Sequence, residues 1–386
     1  MKRSILTRTV QLALMLAVFF LATACDQSPL FYSISNETER KTAAVPGTPT
    51  RTVRMATSGS IFVANGKLLK RTGSAWRSAN RPDGELVRDL AAIGDTLFAM
   101  TLPETGSATK LWKSVDDAAN WSQIDLDPGT SGYDSFDSLF TAGPVGSETL
   151  FVGAHMSGTE YVMLRYDAVG STLVLEKDVM GAGGILTGAT YLDLTGEYFL
   201  STESEGIWSG TALGALTVLE PGTVDSSFIL SGIIAVDTDA TAGTDTVVAV
   251  GRGENLLLSK AGADFTSADK GYIFPGALAV YADGTRNRLL AAIQDGITYG
   301  FMEIDIPGLA DVADAAAVTL AKTGGDSAST IDYNQYAGAL GTEAIVSLTY
   351  FNAASGVSPD GGILFASTAN EGLWSSTNRG DWNLES

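Results

Sequence analysis

Two copies of one short stretch decide how this chain folds: STESEGIWS at residues 201–209 and STANEGLWS at residues 367–375. In each copy a Ser-Thr pair leads through a glycine into a bulky apolar pair, Ile207-Trp208 or Leu373-Trp374. A glycine between two short runs of β-forming residues is typical of a turn between strands. The match therefore predicts that one strand–turn–strand unit is used more than once.

Weaker copies of the apolar pair recur through the rest of the chain, at Leu68-Leu69, Leu111-Trp112, Met163-Leu164, Leu256-Leu257 and Phe301-Met302. A β-rich run precedes each pair, a further apolar run lies before that one, and a short apolar strand follows most pairs, which makes four short strands per unit. Seven such units fill residues 51–386, at about 48 residues each. Four strands at this period predict an all-β fold, a seven-bladed β-propeller of antiparallel four-stranded blades. Burial explains the preference, because neighbouring blades cover both faces of each sheet.

Two turns of the repeat carry a further pattern, SVDDAANW at residues 114–121 and STNRGDW at residues 376–382. The first resembles the Asp-box, Ser-x-Asp-x-Gly-x-x-Trp, with Ala118 in place of glycine. The second is a shortened form with Asn378 in place of aspartate. The chain thus resembles the Asp-box or BNR-repeat propellers, which include sialidases, xyloglucan-degrading hydrolases, sortilin-type receptors and photosystem assembly factors.

The resemblance implies structural roles for five residues, and it leaves the function open because this fold hosts many functions. The polar side chains would bond the local backbone of a turn between the third and fourth strands, and the rings would pack between blades. These residues are Ser114, Asp116, Trp121, Asn378 and Trp382.

The first 24 residues are typical of an export signal. Lys2, Arg3 and Arg8 precede an apolar run of about ten residues, which is too short to span a membrane core that needs roughly 20. Residues 21–25, LATAC, resemble the lipobox of bacterial lipoproteins. That resemblance implies cleavage before Cys25, its modification by acyl chains such as palmitate, and a membrane anchor. An ordinary secretory signal followed by a chance cysteine is the alternative.

Residues 25–50 are predicted to be a lipidated cysteine and a flexible tether, since they are rich in polar residues and end in prolines. The short apolar stretch at residues 30–35 could instead add a strand to the propeller. With the anchor, this organisation predicts a bacterial cell-envelope protein on the inner or outer membrane, either periplasmic or surface-exposed.

Composition excludes several kinds of site. The 386 residues contain one cysteine and one histidine, so an internal disulfide and a zinc cluster of several Cys and His residues are both excluded. The formal net charge of −20 disfavours nucleic acid as a partner. The acidic run at residues 237–245 lacks the glycine and the closing glutamate of an EF-hand loop, which favours an acidic turn. No cofactor motif is present, and we predict neither a metal site nor a cofactor.

The sequence therefore favours a non-catalytic binding or scaffold module with a monomeric body and a protein or glycan partner. No catalytic residue is identified. The alternative is an Asp-box-type glycoside hydrolase, because such an enzyme needs only two suitably placed carboxylates and no pair stands out. In a propeller the loops after the second and fourth strands surround one mouth of the channel. That rule gives a candidate ligand face of Tyr133, Asp134, His155, Tyr333, Asn334 and Tyr336, the last three in a predicted loop at residues 322–343.

Overall fold

The described part of the chain consists of short strands joined by turns and loops. A computed structural model describes residues 43–105, 108–126, 133, 135–156, 160–180, 184–193, 195–219, 230–236, 246–251, 256–260, 265–268, 273–282, 287–295, 298–304, 319–322, 330–336, 343–351, 362–377 and 381–386. These residues belong to the unit Ala43–Ser386, and their strands group into seven sheets.

The first two sheets are simple antiparallel meanders. The first consists of β1 (Val53–Arg54), β2 (Ile61–Ala64), β3 (Leu68–Thr72) and β4 (Ala75–Ser78). A 3₁₀ turn, Pro82–Gly84, leads to the second. The second consists of β5 (Leu86–Ile93), β6 (Thr96–Leu102), β7 (Lys110–Ser114) and β8 (Ser122–Gln123).

The next three sheets repeat this order, with one addition. The third consists of β9 (Asp125–Leu126), β10 (Ser135–Ala142), β11 (Thr149–Met156), β12 (Glu160–Asp167) and β13 (Thr172–Met180), and β9 pairs in parallel with the outer strand β13. The fourth consists of β14 (Leu186–Leu192), β15 (Glu197–Thr202), β16 (Ile207–Gly210) and β17 (Thr217–Val218). The fifth consists of β18 (Leu230–Val236), β19 (Thr246–Gly251), β20 (Leu256–Lys260) and β21 (Phe265–Ala268).

The last two sheets complete the series. The sixth consists of β22 (Leu278–Ala282), β23 (Asn287–Asp295), β24 (Thr298–Ile304), β25 (Thr319–Lys322) and β26 (Thr330–Tyr336), with β26 between β24 and β25. The seventh consists of β27 (Ile345–Phe351), β28 (Ile363–Thr368), β29 (Leu373–Ser376) and β30 (Asn383–Leu384). The expectation of an all-β propeller with four-stranded antiparallel blades is confirmed.

The core lies between the sheets rather than inside any of them. Alternation along β2 sends Phe62 toward the second sheet and Ile61 and Val63 toward the seventh, so both faces of the strand are buried. A separate apolar cluster of this kind lies between each sheet and the next, and also between the seventh and the first. Both faces of a central strand being buried explains why these strands read as unbroken apolar runs.

The two matching stretches of sequence form the same turn. The backbone N–H and the hydroxyl of Thr202 both donate to the carbonyl of Gly206, at 3.0 Å. Thr368 donates in the same way to Gly372. The two glycines have φ angles of 88° and 99°, a region that disfavours other residues, which explains why glycine closes the turn in both copies.

The segment at residues 43–50 packs against the first and seventh sheets. Val45 is fully buried in the cluster between the first and seventh sheets, and its carbonyl accepts the N–H of Leu373. At the same junction Arg71 of β3 pairs with Glu385 at 3.3 Å, and the ring N–H of Trp76 donates to that carboxylate at 2.7 Å. The described part of the predicted tether is thus packed against the seventh sheet. Cys25 and the stretch at residues 30–35 lie outside the described residues.

Candidate functional site

A cavity of about 540 Å³ occupies the axis of the propeller. Its walls come from the first strands of the sheets and from the residues that lead into them. We call the side of the molecule where the first strands begin the mouth face. Because strands alternate in direction, the second-to-third strand connections lie on the mouth face and the first-to-second and third-to-fourth connections on the opposite face.

Bulges lie at equivalent points of several first strands. The register of the pairing between the first and second strands slips by one residue near the start of each. The bulged residues are Arg88, Asp137, Thr187, Ser231 and Val346. A bulge re-aims a side chain, and four of these five residues, all except Asp137, line the cavity.

Arg51 and Asp89 form a fixed ion pair in the cavity wall. The guanidinium of Arg51 lies 3.2 Å from Asp89 Oδ2 and 4.4 Å from the centre of the Phe140 ring. The carboxylate of Asp89 also accepts the backbone N–H of Leu90 at 2.9 Å and that of Leu139 at 3.0 Å. Asp89 is therefore fully engaged in joining the first three sheets. It is the one acidic residue among the described residues that line the cavity.

Arg88 differs from Arg51 in having an exposed side chain. Within the described part of the chain it makes no hydrogen bond or ion pair. Sequence reasoning did not single out Arg51, Arg88 or Asp89. The signal that could have found Arg88 is its place directly after the first buried apolar residue of a first strand, but the residue type at that place changes from sheet to sheet.

The predicted ligand-face residues fall into two groups. His155 is the second-last residue of β11, at the mouth face. Its Nδ1 lies 3.0 Å from Asp137 Oδ2, and the centre of its ring lies 5.7 Å from that of Tyr161. Tyr133 packs against the core cluster of the second and third sheets. Asp134 lies outside the described residues. Tyr333, Asn334 and Tyr336 belong to β26 and pair with Ile304, Glu303 and Phe301 of β24. The expected loop at residues 322–343 thus contains a strand inside the sixth sheet. Neither Tyr133 nor His155 is among the described residues that line the cavity.

Each buried carboxylate of the described residues has a basic partner. The pairs are Glu85 with Lys110, Asp89 with Arg51, Glu176 with Arg165, Glu303 with Arg288 and Glu385 with Arg71. Removing one partner of such a pair would leave an uncompensated buried charge, so each of these acids depends on its basic partner.

The pKa values of two of these acids are shifted in opposite directions. Burial acts to raise the pKa of Glu85, but hydrogen bonds from Lys110 and Thr101 and the charge of Lys110 outweigh it and leave that pKa below its ordinary value. Burial raises the pKa of Glu176 above its ordinary value despite Arg165. The Arg165 Nε and Glu176 Oε2 atoms lie 2.9 Å apart, and the Gly214 N–H donates to the same carboxylate, but burial has the larger effect on the pKa.

The Asp-box-like turn between β7 and β8 is held by its own side chains. Ser114 Oγ accepts the N–H of Ala118 at 3.1 Å, and Asp116 Oδ1 accepts that of Asn120 at 2.9 Å. The Trp121 ring packs on the cluster between the first two sheets, and Trp382 is buried between the sixth and seventh with Phe301 at 5.5 Å. Asn378 lies outside the described residues. Ala118 has a φ of 67°, the left-handed region that glycine favours.

The described residues show neither a metal-binding cluster nor a membrane-spanning helix. No group of three or more His, Cys, Asp or Glu side chains in the described ranges could hold a metal ion. None of the described segments forms a helix with the length and apolar content to cross a membrane.

Comparison with known proteins identifies the fold alone. No family model matches the chain, and neither does any curated protein sequence. Among solved structures, the GH74 enzyme of Niastella koreensis aligns with a TM-score of 0.60 at 14% identity, over 89% of this chain and 55% of its own. YCF48 from Cyanidioschyzon merolae aligns with a TM-score of 0.52 at 15% identity, over 86% of this chain and 96% of its own.

A lectin has a similar fold. The BP39L lectin of Burkholderia pseudomallei aligns with a TM-score of 0.54 at 11% identity, over 88% of this chain and 98% of its own. The chain therefore spans about half the length of the GH74 enzyme, and nearly all of YCF48 and of the lectin. At these identities the similarity shows a β-propeller and no particular activity.

Proposed function

We propose that this protein is a non-catalytic binding or scaffold module of the bacterial cell envelope, which presents the mouth face of its propeller to a protein or glycan partner. One observation carries the proposal: the only acidic residue among the described cavity-lining residues, Asp89, is already bound to Arg51 and to two backbone N–H groups. A binding surface needs no free acid, whereas hydrolysis of a glycoside needs two.

Site-specific photo-crosslinking in native membranes tests this proposal. A photoreactive amino acid replaces Thr349, which lines the cavity, and in a control chain it replaces Ser78, which is exposed on the outer strand β4. Crosslinked products should form from position 349 and be absent or much weaker from position 78. Equal crosslinking from the two positions would mean that the mouth face is not the binding surface.

The alternative function is an Asp-box-type glycoside hydrolase, which the similarity to the GH74 enzyme favours. It would require a carboxylate pair supplied by residues outside the described ranges. Incubation of the purified full chain with xyloglucan and other β-glucans, followed by measurement of new reducing ends, decides between the two functions. We expect no release above a heat-denatured control, and steady release at constant enzyme would favour the hydrolase.

We further propose that Cys25 carries the membrane anchor. The support is its position as the only cysteine, directly after a cleavable signal with a lipobox-like sequence. Several acyl chains give stable membrane attachment, where one gives only marginal binding. Cys25→Ala should therefore move the protein from the membrane fraction to the soluble fraction and abolish labelling by radioactive palmitate. Membrane retention of that variant without detergent would contradict the anchor.

A further inference from the structure

We propose that the channel is an oxyanion-binding site in which Arg88 is the principal contact for a carboxylate or phosphate group of the ligand. The proposal rests on the proposed function, because it names the chemistry of what the mouth face would bind. The two arginines in the cavity wall have unequal roles.

The charges of the cavity lining do not balance. Arg51, Arg88 and Asp89 are the ionisable side chains among the described residues that line it. Asp89 neutralises Arg51, at 3.2 Å, and this leaves Arg88 as an excess positive charge. The whole chain carries a formal charge of −20, so a channel with excess positive charge is a local exception. Such an exception attracts anions into a cleft whose walls focus the field.

The geometry of the wall keeps Arg88 free for a ligand. The bulge in β5 places Arg88 between Val87, which is buried, and Asp89. Asp89 cannot turn toward Arg88 without giving up two backbone N–H groups and the guanidinium of Arg51. Losing those partners inside the protein would be costly, so the bulge presents an arginine whose adjacent acid is already bound.

The remaining lining suits a small polar anion. Four residues that carry a hydroxyl group belong to the wall, Thr141, Thr187, Ser347 and Thr349, as does Phe140. A volume of about 540 Å³ lies within the range of about 300–1,000 Å³ for small-ligand sites. A guanidinium binds carboxylate and phosphate oxygens through two parallel N–H···O bonds, which lysine cannot do. The ligand class is therefore a sugar-sized or smaller molecule, or the end of a larger one, that carries an oxyanion.

Calorimetric titration of the purified full chain tests the inference with three probes: glucuronate, inorganic phosphate and uncharged glucose. We expect at least one of the two anions to bind and glucose to show no binding. Added salt should weaken the binding of the anion. Binding of glucuronate alone would identify a carboxylated ligand, and binding of phosphate alone a phosphorylated one.

Three variants assign the effect to Arg88. Arg88→Gln should lower the affinity for the anion by about tenfold or more, since charge-assisted hydrogen bonds are lost. Arg88→Lys should fall between this variant and wild type. Arg77→Gln removes the same charge from the exposed outer strand β4 and should change affinity by less than about twofold. Equal melting temperatures would show that each variant is folded.

Three results would overturn the inference: no binding of either anion, equal binding of glucose, or unchanged affinity in Arg88→Gln. The proposed function can fail separately, because crosslinking from position 349 can be absent while the anion binds. Crosslinking to a partner without any anion binding would keep the binding module and reject the oxyanion site.

Discussion

At the scale of single residues, Asp116 shows how the turns are held. Hydrogen bonds from Asn120 and Ser114 lower the pKa of Asp116 to about 2 from an ordinary value of 3.8. A carboxylate whose pKa is lowered by folding stabilises the protein above its unfolded pKa, and that contribution is lost as the pH falls through the folded pKa. The loss of stability in Asp116→Ala should be complete at pH 6 and should shrink between pH 4 and pH 2.

Thermal melting of wild type and Asp116→Ala across this pH range checks the prediction. Asp125→Ala serves as an acidic control, since Asp125 is exposed on β9. A difference between wild type and Asp116→Ala that stays constant from pH 6 to pH 2 would show that the carboxylate does not hold the turn.

Also at this scale, the tryptophans at one repeat position differ in environment. Trp112 is 7% exposed, and its ring N–H donates to Thr101 Oγ1 at 2.9 Å. Trp208 is only half-buried, although it packs on the cluster between the third and fourth sheets and lies under Lys177. Trp112→Ala should lower the free energy of unfolding by about 3–5 kcal/mol, because contacts are lost and a cavity is left. Trp208→Ala should cost less, because part of its ring already faces solvent.

Chemical denaturation measures both free energies of unfolding. A loss of that size is a large share of a typical total of about 5–15 kcal/mol. A larger loss in Trp208→Ala than in Trp112→Ala would mean that repeat position, rather than burial, sets the cost. Loss of ligand binding without a change in unfolding would instead make the Trp208 ring a contact surface.

At the scale of elements, the sequence locates the repeated strands well and their edges poorly. All seven apolar pairs, including Leu256-Leu257 and Phe301-Met302, fall in third strands, because burial on both faces requires apolar residues there. The sixth unit shows the limit. Its fourth strand β26 comes from Thr330–Tyr336, and β25 lies outside it, so chain order and spatial order differ.

The channel was beyond sequence reasoning for a related reason. Bulged positions carry Arg88, Asp137, Thr187, Ser231 and Val346, which share no residue type. A bulge is set by the register of two paired strands rather than by one residue. The loops of the mouth face could be placed from the repeat, but the arginines inside the channel could not.

The segment at residues 43–50 makes a further prediction at this scale. Val45 is fully buried between the first and seventh sheets. Val45→Asp places a carboxylate there and should cost about 3–5 kcal/mol. Hydrogen exchange should speed up most in β29, whose Leu373 N–H bonds to Val45. Val169→Asp is the matched control, because Val169 is 97% exposed, and it should leave exchange in β29 unchanged.

Unchanged hydrogen exchange in β29 of Val45→Asp would show that the segment is not needed to hold the first and seventh sheets together. Accelerated exchange spread evenly over every sheet would point instead to global unfolding.

At the scale of the whole molecule, seven apolar interfaces link the seven sheets, and the last of them joins the first and seventh. We propose that this series is one closed ring of seven blades. Each sheet is stabilised by two neighbours, so the mouth face can carry a free arginine without weakening the core. The face opposite bears exposed valines on its turns, Val115, Val145 and Val169.

Hydroxyl-radical footprinting tests directly whether the mouth face is the surface that is occupied in the cell envelope. The full chain is oxidised in native membranes and again after purification, and modification is read by mass spectrometry. We predict slower oxidation of His155 and Tyr161 in membranes, with Val145 and Val169 unchanged. Protection of the two valines together with full oxidation of the mouth-face residues would contradict the account.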